Sequence, residues 1–257
     1  MFGEWAEEFG RFIDFAARVV LAMPGALIRR PGEVLRQFER VAWGSLAVVL
    51  AAGGSVGLVT WLQTRRQLVA YGLEATLPSV LAVVALVETG PMLAALLVAG
   101  RMGAGLAAEL GSMTLTEELD ARDVLGAPVL PTLVAPRAIA CAVAVPLLTV
   151  VLDAAAMVGG LAAETSAGSL SAAAFGARAL DLLHLSDIVP ATLKTGVFGL
   201  TIGLVGCWTG LQTDRSTEAV GRAATRGVVL AMLSVFAANV LLVPALQVAV
   251  ATLGWTV

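Results

Sequence analysis

Five apolar stretches, each long enough to cross a lipid bilayer as a helix, constrain this chain more than any other feature. They cover residues 41–62, 78–100, 137–163, 188–211 and 227–253. About 20 residues rising 1.5 Å each match the ~30 Å hydrocarbon layer. Without water in that layer a backbone crosses only as helices or as a closed barrel, and apolar runs of this length select helices. Composition agrees, since 58% of the 257 residues are hydrophobic and 14% charged, whereas soluble domains carry roughly a quarter charged. The expectation is an all-α integral membrane protein with about five transmembrane helices. Six is the alternative, because Thr64-Arg65-Arg66-Gln67 interrupts the pattern before Leu68–Leu77 resumes it.

The first forty residues read differently. Trp5, Phe9, Phe12, Ile13, Ala16, Val19 and Val20 share one helical face, and Glu7, Arg11, Asp14 and Arg18 take the other. Such a helix is too charged to span and suits the headgroup region. Pro24, Arg29, Arg30 and Pro31 are expected to end it, with a short polar helix over Glu33–Arg40 leading inward. Residues 1–40 therefore form an interfacial elbow and residues 41–257 the transmembrane domain. No basic n-region precedes a short apolar core, so a cleaved signal peptide is not expected.

Loop charges set the orientation. With a cytoplasmic N-terminus, that side carries Arg11, Arg18, Arg29, Arg30, Arg36, Arg40, Arg101, Arg122, Arg137, Arg215, Arg222 and Arg226, against Arg65, Arg66 and Arg178 opposite. The net charge of −3 says nothing about nucleic acid, but no basic patch is present, so no nucleic-acid partner is expected. Cys141 and Cys207 lie in apolar runs without metal-type spacing and read as small buried side chains. Neither a nucleophile–base pair nor a phosphate-binding glycine loop is present, and the lone His184 falls in a connection. No catalytic residue, metal site or cofactor is expected in this chain.

Three ionisable groups fall within apolar runs: Glu88, Asp153 and Lys194, the one lysine. Each costs about 2.5–3.5 kcal/mol facing lipid at the bilayer centre. They must face the bundle interior, a cavity or one another, and Lys194 has the further option of snorkelling to the outer interface. Gly196, Gly199, Gly203, Gly206 and Gly210 form a stripe on the fourth span that admits a second backbone or a lipid tail. Between the second and third spans lies a charged insert. Thr114-x-x-Glu117 has the capping-box pattern, and Gly126 with Pro128 supplies a stop. Glu117, Glu118, Asp120 and Asp123 face only Arg122. A solvated loop helix and a helix docked into a partner's basic groove both fit that pattern.

The run Glu88-Thr-Gly-Pro-Met-Leu-Ala-Ala-Leu-Leu-Val-Ala-Gly-Arg101 resembles the MlaE/YrbE permease family. So do Ala107-Ala-Glu-Leu-Gly-Ser-Met, Thr116-Glu-Glu-Leu-Asp-Ala, Pro136-Arg137, Pro146-Leu-Leu-Thr and Glu218-Ala-Val-Gly-Arg-Ala-Ala-Thr-Arg-Gly-Val-Val. Members are membrane subunits of MCE-associated lipid ABC transporters. The resemblance spans roughly residues 40 to 250. It implies a multi-pass subunit of the bacterial inner membrane that moves lipid, working as a homodimer. Two cytoplasmic ATPase subunits would hold ATP and magnesium, and an MCE-domain protein would sit on the outer face. Residues 114–125 then correspond to the coupling helix, with Glu117, Glu118, Leu119 and Asp120 on the ATPase interface. Glu88 corresponds to a glutamate near the lipid cavity, Tyr71 (with Glu74) to its wall, and Lys194 to a basic position; Leu68 is a further wall residue. The arginine often preceding that glutamate is Val87 here. The rival is an ion- or proton-coupled secondary transporter using Glu88, Asp153 and Lys194 as a relay.

Overall fold

A computed structural model describes residues 2–167 and 170–252. Its helices are α1 (Phe2–Arg29), α2 (Pro31–Ala70), α3 (Leu77–Val83), α4 (Gly90–Leu115), α5 (Glu118–Val124), α6 (Ala135–Ala167), α7 (Ala172–Ala179), α8 (Leu185–Leu211) and α9 (Thr217–Thr252). No strand occurs among the described residues. Five helical stretches are long and apolar enough to cross a membrane: Pro31–Ala70, Glu74–Leu115, Leu130–Ala167, Asp187–Leu211 and Thr217–Val248. The protein is an all-α, multi-pass membrane protein. The Trp5 side chain, residues 168–169 of the connection after α6, and the end of the fifth apolar run at Leu253 lie outside the described residues.

The expected break at Arg29, Arg30 and Pro31 forms, since α1 ends at Arg29 and α2 begins at Pro31, but Pro24 does not interrupt α1. Pro24 removes the donor for the Val20 carbonyl, but both residues sit on the exposed side, where another donor can serve that oxygen. The short polar helix at 33–40 and the first span are one helix, and Thr64-Arg65-Arg66-Gln67 continues it to Ala70. Arginine and glutamine are good helix formers, so polarity there does not break the backbone. That removes the basis for a sixth crossing. At ~1.5 Å per residue, α2 is about 60 Å long, roughly twice the apolar layer.

The chain forms two compact units. One gathers the residues up to Gly44 with Val98–Ala144 and Val197–Ala237. Here small residues let backbones touch: a Cβ on Gly103 would lie 2.8 Å from the Gly227 carbonyl oxygen. The α8 stripe divides between two neighbours. Gly199 and Gly203 meet α6 at Cys141 and Ala138, while Gly206 and Gly210 meet α4 at Leu106 and Ala107, so these four glycines serve packing. The face of α1 that is buried runs through Phe15, Val19 and Ala26. Phe12 and Phe15 stand 5.8 and 5.0 Å from the Trp208 ring. The sequence face centred on Phe9, Ile13 and Val20 stays exposed instead.

The other unit gathers Ser45–Leu97, Val145–Gly196 and the residues from Ala238 on. A Cβ on Gly53 would sit 2.5 Å from the Leu152 carbonyl, which brings α2 onto α6. Trp61, Leu77, Leu81, Ala163 and Phe175 form an apolar cluster flanked by Leu68. The Trp61 indole donates to the buried Glu164 carboxylate at 2.6 Å.

Candidate functional site

The second span is not a uniform helix. Between α3 and α4, Val84–Thr89 winds as a wider π-type turn, and the sequence explains why. Pro91 has no N–H, so the Val87 carbonyl has no i+4 partner. Lys194 of α8 supplies one: its Nζ donates to Val87 O at 3.1 Å and to Glu88 Oε2 at 3.0 Å. Lys194 is 3% exposed while Glu88 is 51% exposed. The ammonium is thus buried with two acceptors, and the carboxylate keeps one side open. Lys194 does not snorkel, because a freed carbonyl and a counter-ion are both within reach.

Asp153 of α6 is not joined to this pair. It is 9% exposed, and its Oδ1 has no hydrogen-bond partner among the described residues. Leu68 packs beside the Trp61 cluster, and Tyr71 is exposed in the turn after α2. The structure therefore brings Glu88 and Lys194 together and leaves Tyr71, Leu68 and Asp153 outside that ion pair.

The charged insert has a different start from the one its pattern suggests. α4 runs on to Leu115, and Thr114 Oγ1 donates back to Leu110 O at 2.9 Å, so no capping box forms. Glu117 takes a left-handed backbone, φ 60°, which is uncommon without glycine. It swings the chain into α5, and Gly126, φ 70°, ends the insert. The acids do not face Arg122 alone. Arg215, from the α8–α9 connection, pairs with Glu117 at 2.8 Å and with Asp120, while Arg122 pairs with Glu118 at 2.8 Å. Leu119, expected on a partner-facing surface, is buried and anchors α5. The apolar residues that α5 does expose are Val124 and, just beyond it, Leu125, at 88% and 82%.

Sequence reasoning missed one more charged cluster. Glu109 of α4 accepts from the buried Arg137 at 2.7 Å and from Arg40 at 2.8 Å, and Arg137 also donates to Leu133 O. Both Glu109 and Arg137 stand in the motifs quoted above. The available signal was an acid and a base in adjoining runs, each with few other partners.

Five apolar spans that enclose ion pairs at Glu88–Lys194 and Glu109–Arg137 and carry a charged insert make a multi-pass membrane protein. The family described as Permease MlaE matches residues 34–244. A probable ABC transporter permease protein of Synechocystis sp. is 35% identical over 217 residues, 84% of this chain and 82% of that one. Another, of Rickettsia bellii, is 30% identical over 240 residues, 92% and 91% of the two chains. Protein TRIGALACTOSYLDIACYLGLYCEROL 1, chloroplastic, of Arabidopsis thaliana is 34% identical over 215 residues, 81% of this chain and 59% of its own length. The chain belongs to the MlaE permease family and is an ABC transporter permease subunit. That membership argues against the stand-alone ion-coupled carrier, and Glu88 and Lys194 are joined to each other rather than strung through Asp153.

Proposed function

We propose that this subunit moves a lipid between the bacterial inner membrane and the cell envelope. It would work as a homodimer with a cytoplasmic ATPase that binds ATP and magnesium, and with an MCE-domain protein on the outer face. Glu88 is the observation that carries the reading. A half-open carboxylate in an otherwise apolar span, steadied by a buried lysine, gives a greasy chamber one polar contact for a headgroup. Tyr71, exposed at the end of α2, extends the wall of that chamber, with Leu68 behind it. The name of the Arabidopsis relative, which is that of a glycerolipid, agrees with a lipid substrate.

α5 is the coupling element and spans Glu118–Val124 rather than 114–125. Glu117, Glu118 and Asp120 provide its acidic surface, Val124 and Leu125 its apolar tip, and Leu119 its anchor. α1, with Phe9, Ile13 and Leu21 exposed, lies at the cytoplasmic interface, so residues 1–40 are the elbow and residues 41–257 the transmembrane domain. ATP binding below would draw two copies of α5 together and compress the chamber.

The test is reconstitution. An ATPase subunit and an MCE protein should purify with this chain, and lipid should stimulate ATP hydrolysis. Glu88→Ala should raise the lipid concentration for half-stimulation about tenfold without loss of assembly. Equal loss of assembly and lipid response would make Glu88 structural.

A further inference from the structure

Asp153 is a buried titratable group that the reading above leaves unused. Its Oδ1 is out of reach of solvent and has no hydrogen-bond partner. It lies where the side chain of Gly90 would begin: a Cβ on Gly90 would collide with Oδ1 and sit 2.9 Å from Cγ. The Ala85 carbonyl oxygen lies 2.7 Å from the same point. That carbonyl already accepts the Gly90 N–H that closes the π-type turn and has a second lone pair free. Both oxygens thus crowd the place of the missing Cβ, and Oδ1 finds no donor there. Glu88 on the turn and Lys194 on α8 are spent on each other, and Asp153 enters no ion pair among the described residues. An ionised carboxylate there would keep Oδ1 a buried acceptor without a donor, which is costly. The neutral acid removes the charge and provides the missing donor.

We propose that Asp153 is a positioning residue for the Glu88 site, held as a neutral acid whose proton bridges Oδ1 to the Ala85 carbonyl and fixes the turn that presents Glu88. Gly90 belongs to the same device, because only a residue without a side chain leaves room for the carboxyl. The inference rests on the reading of Glu88 as the headgroup contact.

The test uses the assembled transporter in proteoliposomes, with lipid-stimulated ATPase activity and the melting temperature of the detergent-purified complex as readouts. Asp153→Ala should raise the half-stimulating lipid concentration at least fivefold. Asp153→Asn, whose amide restores the donor without a proton to lose, should bring it back to within twofold of the wild type. Gly90→Ala should cost clearly more in the wild type than in the Asp153→Ala background, where only the Ala85 carbonyl oxygen, 2.7 Å from the new Cβ, still opposes it. The inference is overturned if Asn behaves like Ala, if Ala behaves like the wild type, or if Gly90→Ala costs as much in both backgrounds. A failure of the lipid reading looks different: Glu88→Ala then leaves lipid stimulation unmoved, while Asp153→Ala still melts below the wild type and Asp153→Asn close to it.

Discussion

Lys194 shows how much one side chain can settle. Its ammonium caps the carbonyl that Pro91 strands and neutralises the acid one residue further along. Lys194→Met keeps the length of the side chain but leaves Val87 O and Glu88 unserved. The pair is half open on the Glu88 side, so the loss should fall between exposed and buried pairs, about 1–3 kcal/mol. A drop of several degrees in melting temperature in detergent would register it. Adding Glu88→Gln should recover part of that drop, because no lone carboxylate then remains. A double variant as unstable as the sum of the two singles would mean that the residues do not interact. From sequence alone, Glu88, Asp153 and Lys194 stood out as charges in apolar runs that had to face an interior, a cavity or one another, but which of them pair did not. The two lie 106 positions apart, and no periodicity relates them. The consequence of Pro91 was legible in principle, since a proline always strips the carbonyl four residues earlier.

At the scale of elements, α5 is positioned by charge as well as by Leu119. The Arg215 pairs with Glu117 and Asp120 are more than half exposed, so each contributes under about 1 kcal/mol to stability. Their value lies in orientation. Arg215→Glu should leave insertion and melting temperature nearly unchanged while lowering lipid-stimulated ATPase activity severalfold, since α5 would be repelled from its seat. Glu117→Lys or Asp120→Arg should abolish that activity with the permease still in the membrane. Unchanged activity in an intact complex would remove α5 from the coupling role. The acidity of the insert was plain in the sequence, whereas its seat was not: Arg215 belongs to a separate connection, and nothing local pairs it with Glu117. The expected capping box failed because Thr114 already bonds within α4, a competition that short hydroxyl side chains often present.

For the whole molecule, five crossings determine which connections share a compartment. Residues around α5 and those joining α8 to α9 should be labelled from the same side as α1. The α2–α3 turn and the connection around α7 should be labelled from the other. Single cysteines at Ala127, Gly72 and Gln212, in a background lacking Cys141 and Cys207, would report this with an impermeant thiol reagent. Reaction of positions 72 and 127 from one side would contradict the five-span arrangement. The number of spans was readable because bilayer thickness fixes the length of an apolar run. Helix ends were not, because α1 and α2 continue through residues that favour water without opposing helix.

Glu117 has a consequence of its own. Two residues, Thr116 and Glu117, the second with a left-handed backbone, separate the 26 residues of α4 from α5, so the joint is a knuckle and not a hinge of many parts. A side chain other than glycine keeps that conformation only under tertiary restraint, and Arg215 supplies some of it. Glycine at this position would relax the knuckle and let α5 wander from the seat that Arg215 and Leu119 give it.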